Sequence, residues 1–296
     1  VAQLPTDPTS GDYNVVYVGR SEVLPLPAMR LNDQTAFAVA DDGELTLRDH
    51  WLAPTNALTD SVAQALDAAI SQQTVRGGRL LASLGIRYLV VPIIDGAAST
   101  VDQPLEAPIG LLEGLSLQLD FRRVYTANDL VIFENMAYTP SLTKLDEASA
   151  VLSQQAGTDA LLSSQLQVAQ VLARMGDIAS RPTPVEVGTI HLATPFSDHL
   201  VLHVDDSDVI PRVAFGGTTA FDSPVAGTAT LDFMTPWNHV VLLLAQFMLW
   251  VLVISATFNL KRIKSRIGVR REKPIVLDES SDSVLTFNKQ DGAGSQ

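Results

Sequence analysis

The chain has 296 residues, 46% of them apolar, and a mean hydropathy of +0.18; it can fill one large or two ordinary cores and is not globally disordered. Twenty Lys and Arg against 33 Asp and Glu leave a net charge of −13, which argues against a nucleic-acid-binding surface. The absence of cysteine excludes a disulfide framework, a thiolate metal site and a cysteine nucleophile.

The first expected element is a buried strand over Tyr13–Val18, rich in β-formers and bounded by Asp12 and Gly19. Pro25 and Pro27 mark a loop. Thr35–Ala40 reads as a second strand, closed by a turn at Asp41-Asp42-Gly43. Over Asn56–Gln72, the residues Leu58, Val62, Leu66 and Ile70 recur every fourth position, which predicts a helix with one apolar face. Gly77-Gly78 then opens a short helix, Arg79–Leu84, which Gly85 ends. Ile86–Pro92 follows as a continuously apolar strand of the kind covered on both faces. Helix, glycine and strand in that order indicate an α/β domain over residues 1–140. Within it, Arg122–Tyr125 and Leu130–Phe133 flank a turn and read as a β-hairpin.

Residues 141–184 are expected to form a helical connector, because Ala148–Met175 is helical in composition, with a break at Gly157. After Arg181-Pro182-Thr183-Pro184 the composition turns to β. Val185–Leu192, Leu200–Val204, Val209–Phe215 and Gly227–Phe233 are short alternating runs separated by Asp, Ser and Gly turns. They predict a small β-sandwich-like sheet over residues 185–237. So little strand cannot bury a core alone, so this sheet must pack on something earlier.

Val240–Leu260 carries 21 residues without a charge, which as a helix spans roughly 30 Å, the thickness of a bilayer's hydrocarbon core. One transmembrane helix is therefore expected over residues 238–260, with Trp237 and Trp250 as aromatic anchors. Seven basic residues follow it: Lys261, Arg262, Lys264, Arg266, Arg270, Arg271 and Lys273. Residues 1–239 hold 12 basic and 28 acidic side chains, whereas residues 240–296 hold 8 and 5. This asymmetry predicts a plasma-membrane protein with its N-terminal region extracytoplasmic and its C-terminal tail cytoplasmic. The tail, residues 261–296, reads as basic and then polar and disordered. No signal peptide is visible at Val1, so the chain is expected to be the C-terminal piece of a longer membrane protein.

Candidate chemistry is sparse. His191, His199 and His203 are the one histidine cluster, and they read as ordinary surface residues rather than metal ligands. Asp205-Asp206-Ser207-Asp208 resembles the Asp-x-Asp signature that holds a divalent ion and a sugar diphosphate. It reads more simply as a hairpin turn; no metal is expected, and Asp206 and Asp208 are the candidates if one binds. Gly77-Gly78 lacks the lysine and hydroxyl of a phosphate loop, and no Gly-x-Ser-x-Gly occurs. No catalytic or cofactor-binding residue is expected, and no cofactor. Trp51, Tyr125 and Phe221 read as core aromatics in preference to a glycan platform.

Five stretches in order carry a resemblance: DYNVVYVG, DDGELTLRDHW, GRLLASLGIRYLVVP, DLVIFENMAYTP and PRVAFGGTTAFDSPVAGTATLDF, leading into a membrane helix with Gln246 and Trp250. Together they resemble the C-terminal exterior region of large actinobacterial membrane glycosyltransferases, and more distantly the YfhO-like membrane transferases. The resemblance implies a parent protein in cell-envelope polysaccharide or glycolipid assembly, with its transfer chemistry upstream of this chain. It implies as partners the lipid bilayer, the upstream catalytic or transmembrane part and an envelope glycan, and no nucleic acid. The matching residues Gly85, Tyr88, Asn135, Phe215 and Gly227 read as structural, so no catalytic role carries over. The chain alone is then an accessory or acceptor-binding region. The alternative is a non-enzymatic single-pass envelope protein that binds a glycan or a protein.

Overall fold

A computed structural model describes residues 12–41, 50–51, 55–94, 106–126, 129–166, 169–172, 182–234 and 237–267. Contacts divide the chain into two compact units between Thr235 and Pro236. The content is mixed α/β with several β-sheets, followed by one long apolar helix.

The first sheet contains β1 (Asn14–Gly19), β2 (Met29–Arg30), β3 (Ala36–Asp41), β4 (Ile86–Pro92), β5 (Phe121–Thr126) and β6 (Leu130–Asn135), in the order β2-β3-β1-β4-β6-β5. Its central pair, β1 and β4, is parallel, and the other pairs are antiparallel. Both central strands are covered on both faces, as the run Ile86–Pro92 predicts. On one face Val16, Val18, Leu89 and Val91 pack against α1 (Ala57–Ile70), α2 (Gly77–Ala82) and α3 (Leu111–Ser116) through Leu66, Leu81 and Leu115. On the other face Val15, Tyr17, Tyr88 and Val90 meet Tyr13, Leu24 and Leu26. The expected β5–β6 hairpin is present; the residues at its tip and those of the turn expected at 42–43 lie outside the described residues.

Local chemistry sets these elements. Asn56 caps α1, accepting from the amides of Leu58 and Thr59 at 3.0 Å, while Thr59 Oγ1 accepts from the Asn56 amide at 2.9 Å. At the start of α2 three buried polar side chains converge. Gln118 Oε1 accepts from Gly77 N at 2.9 Å, and Asp120 accepts from Arg79 N and from the Arg76 guanidinium. Asn135 Nδ2 donates to the carbonyls of Gly78 at 2.9 Å and Ile86 at 3.0 Å. A Cβ on Gly78 would overlap the side chains of Asn135 and Asp120. After Leu84 the chain turns at Gly85, whose φ of +68° is the left-handed conformation that glycine accepts without strain.

The β-rich part departs from the expected subdivision. β7 (Leu142–Lys144) and β8 (Gln170–Val171) come from the stretch read as a helical connector, and they join β10 (Gly188–Pro195), β13 (Pro211–Ala214) and β14 (Thr218–Ser223) in one sheet. The helices of that stretch are short: α4 (Glu147–Leu152) and α5 (Thr158–Ser163), separated at Gly157 as expected. Another sheet holds β9 (Thr183–Val185), β11 (Leu200–Val204), β12 (Ser207–Val209) and β15 (Gly227–Phe233). Ile190, Leu192 and Phe221 of one sheet and Leu202, Val204 and Ala229 of the other share a single core.

Two runs read as single strands, Val185–Leu192 and Val209–Phe215, are each broken. In both the chain crosses from the four-stranded to the five-stranded sheet, at Gly188 (φ +140°) and at Ile210. This β-rich part also packs on earlier residues, as its small size requires. Ala82 of α2 shares a core with Leu145, Leu166, Ala214 and Phe215. A Cβ on Gly85 would stand 3.2 Å from Ala193 and from Ser141 Oγ.

The final helix, α6, runs Trp237–Ile267, 31 residues against the 23 expected, because its backbone continues through Lys261, Arg262, Lys264 and Arg266. Its window His239–Ala256 has a mean hydropathy of 2.2 and is 0% buried, so it is long and apolar enough to cross a membrane. Trp237 and Trp250 are both exposed. The tail beyond 267 lies outside the described residues.

Two substitutions check this account in the full chain. Asn135→Ala leaves the Gly78 and Ile86 carbonyls without their donor and is expected to cost about 2 kcal/mol, lowering the thermal midpoint by about 4–8 °C. Gly85→Ala is expected to cost about 1–2 kcal/mol through backbone strain. An unshifted midpoint for both would show that this junction does not hold the core together.

Candidate functional site

α1 has two faces. Leu58, Val62, Leu66 and Ala69 face the core, and the polar side carries Ser61, Gln64 and Asp67. That polar side forms one wall of a cleft of about 510 Å³. The other walls are α5, beginning at Thr158, and the turn at Phe215-Gly216 between β13 and β14. Three unusual backbone conformations shape the rim. Gln72 (φ +59°) turns the chain out of α1 toward Gln73 and Thr74, and Phe215 (φ +49°) and Gly216 (φ +81°) make the hairpin turn. Phe215 N donates to Ser153 O at 2.9 Å, which pins that turn to α4.

The floor of the cleft is apolar, from Leu80, Leu161 and Leu162, and its rim offers hydroxyls, amides and, among the described residues, one carboxylate, that of Asp67. Such a surface suits a polyhydroxylated ligand without strong charge, because hydroxyls and carboxamides donate and accept at once. In sequence this side of α1 is only the polar face opposite the apolar stripe. Phe215 and Gly216, 150 residues further on, turn it into a cleft.

The three histidines do not converge. His191, expected at the surface, is fully buried in β10. Thr218 Oγ1 donates to Ala214 O at 2.9 Å, so it accepts from His191 Nε2 at 3.0 Å, which fixes the neutral tautomer protonated there. The ring also meets Phe215 edge-on at 5.7 Å. Burial, reinforced by the nearby Arg212, pushes the His191 pKa down to about 4 from an ordinary 6.5. His203 lies 2.5 Å from Asp208 through Nδ1 and 3.4 Å from Asp232 through Nε2, while His199 packs against Phe233.

Asp205-Asp206 is the two-residue loop of the β11–β12 hairpin, two residues shorter than the turn Asp205–Asp208 that the expected strand limits imply. Asp205 takes φ +48° and accepts from Thr228 N at 2.9 Å. A Cβ on Gly227 would strike that carboxylate. Of the metal candidates, Asp208 is engaged by His203 and Asp206 is exposed in the turn. Among the described residues no group of three His, Asp or Glu is placed to hold a metal ion.

The three aromatics read as core divide: Phe221 is buried, but Trp51 and Tyr125 are exposed, since Tyr125 lies on the edge strand β5. A cluster that sequence reading missed surrounds Arg87, whose guanidinium lies 5.2–5.5 Å from the ring centres of Tyr13, Tyr88 and Tyr138 and 3.5 Å from Glu134. Comparison with models of known families, with curated proteins and with solved structures finds no match to this chain.

The buried histidine makes stability depend on pH. Its folded pKa lies below its unfolded one, so the unfolded chain binds the proton more readily and stability falls as pH drops below 6.5. The loss is about 3 kcal/mol by pH 4. Asp222, held below its usual range first by the hydrogen bond from Arg212, contributes only at lower pH. Denaturant titrations from pH 7 to 4 are expected to show this loss in the parent chain and not in His191→Leu. Equal slopes for the two chains would contradict the buried neutral assignment.

Proposed function

We propose that this chain is the membrane-anchored, extracytoplasmic acceptor-binding region of a cell-envelope glycosyltransferase, with the transfer chemistry supplied by an upstream part of the parent protein. The observation that carries the reading is the cleft along α1, whose rim of Ser61, Gln64, Gln73, Thr74 and Thr158 suits the hydroxyls of a neutral glycan. The ordered resemblance to the exterior region of membrane glycosyltransferases supports the same class. The acidic balance of residues 1–239 favours a neutral ligand over a nucleotide or lipid diphosphate, which that field would repel.

The long apolar helix α6 supports the anchor. Residues His239–Ala256 present apolar side chains all round with 0% burial, an arrangement that water does not tolerate and hydrocarbon does. The basic cluster beginning at Lys261 supports a cytoplasmic C-terminus and an exterior N-terminal unit.

Two measurements test the reading. In intact cells, protease added outside is expected to cut the folded unit and spare an epitope after Gln296; the opposite pattern would reverse the sidedness. Calorimetric titration of the detergent-solubilised full chain with a panel of neutral oligosaccharides is expected to find a saturable ligand. The pair Gln64→Ala and Gln73→Ala then weakens it about tenfold or more, as loss of two hydrogen bonds implies. Saturable binding that ignores both substitutions would move the ligand out of this cleft, and a panel without any binder would remove the glycan reading.

A further inference from the structure

Phe196, Phe233 and Met234 expose 38%, 59% and 57% of their surfaces, although the backbone of each is fixed to the folded unit. Phe196 N donates to Gly217 O at 2.9 Å, and Met234 N donates to His199 O at 2.7 Å. Phe233 pairs with Leu200 across β15 and β11, and its ring meets His199 edge-on at 5.8 Å. The three residues therefore belong to one ledge of backbone, made from the four-residue loop 196–199 and the end of β15.

What sets this ledge apart is where the chain goes next. Only Thr235 and Pro236 separate Met234 from α6, and Trp237 at its start is 74% exposed. Three peptide units reach at most about 11 Å, whatever the orientation of the unit. Aromatic and methionine side chains tethered so close to a membrane helix gain burial by entering the layer between headgroups and acyl chains. Asp198 and Asp232 flank the ledge and are largely exposed, and a carboxylate does not follow below the headgroups. Insertion is thus shallow, and it relies on apolar contact rather than on attraction to anionic lipid.

We propose that Phe196, Phe233 and Met234 form a ledge that rests in the interfacial layer of the bilayer crossed by α6. This rests on the reading of α6 as a membrane span. The cysteine-free chain allows a direct test with the full chain in phosphatidylcholine nanodiscs. Single spin labels are placed at Phe196→Cys and Met234→Cys on the ledge, at Asp206→Cys in the hairpin turn at the far end of β11, and at Leu249→Cys within α6. Depth is read from the ratio of oxygen to nickel-chelate collision rates. The expected order has Leu249 deepest, 196 and 234 at interfacial depth with ratios several-fold above Asp206, and Asp206 fully aqueous. Adding Phe233→Ser is expected to shift the 196 label toward the aqueous value. Aqueous ratios at 196 and 234 with Leu249 still deep would overturn the ledge and leave the span intact. An aqueous Leu249 would overturn the span and the ledge together.

Discussion

The carboxamide of Asn135 ties together three pieces of chain at the edge of the sheet and helix layers. It binds the Gly78 carbonyl at the start of α2, the Ile86 carbonyl at the head of β4, and the Ala137 amide just beyond β6. The contact requires a glycine at 78, because a side chain there would occupy the space that Asn135 and Asp120 fill. A carboxamide buried at this point is stable because both its polar atoms are used. With α2 so placed, β4 is held parallel to β1, and the helical layer can cover one face of the sheet while Leu24 and Leu26 cover the other. Gly85 extends the same constraint to the β-rich part, since its close approach to Ala193 and Ser141 lets β10 lie against the turn after α2.

The β-rich part shows how two thin sheets share a core without either being complete in sequence order. The chain changes sheet at Gly188, between β10 and β11, at Ile210 and between β14 and β15, so each sheet takes its strands from separate stretches of the chain. At the first crossing Val185 and Ile190 both enter the shared core, whereas at the second Val209 enters it and Ala214 faces the cluster around Ala82 and Phe215. Arg212 adds a polar strut, with two hydrogen bonds to Asp222 and one to Ser153 Oγ, linking β13 to β14 and to the end of α4. His191 fits this frame as a neutral ring against Phe215. It occupies a core position that an aromatic hydrocarbon would fill, with one ring nitrogen used to fix its orientation.

Most of the α/β elements were legible because their signals are local. Helical spacing located α1, a continuous apolar run fixed both ends of β4, and glycine at 85 marked the stop before it. Burial on both faces of β4 also followed from its composition. The missed elements carry no local signal. β7 is three residues long, and β14 contains Thr218 and Thr219, which are buried because their hydroxyls find carbonyl partners that only the fold supplies. The breaks at Gly188 and Ile210 were hidden for a related reason, since strand alternation continues across a sheet change. The cleft was invisible because its walls come from α1, α5 and a hairpin turn far apart in sequence, and because hydroxyls and amides on a helix read as solvated surface. His191 was misplaced by the same logic: a lone histidine in an alternating strand does not announce which face is the interior.

The cleft and the ledge share a corner of the folded unit. Gly217, which accepts from Phe196 N, directly follows the Phe215-Gly216 turn that forms one wall of the cleft. From Phe196 to Met234 the path is the loop 196–199 and one hydrogen bond, a span of about 11–14 Å for three extended residues and a donor–acceptor pair. The wall of the cleft at Phe215-Gly216 and the loop that carries Phe196 are thus joined by one backbone hydrogen bond, so the position of that loop constrains the wall directly.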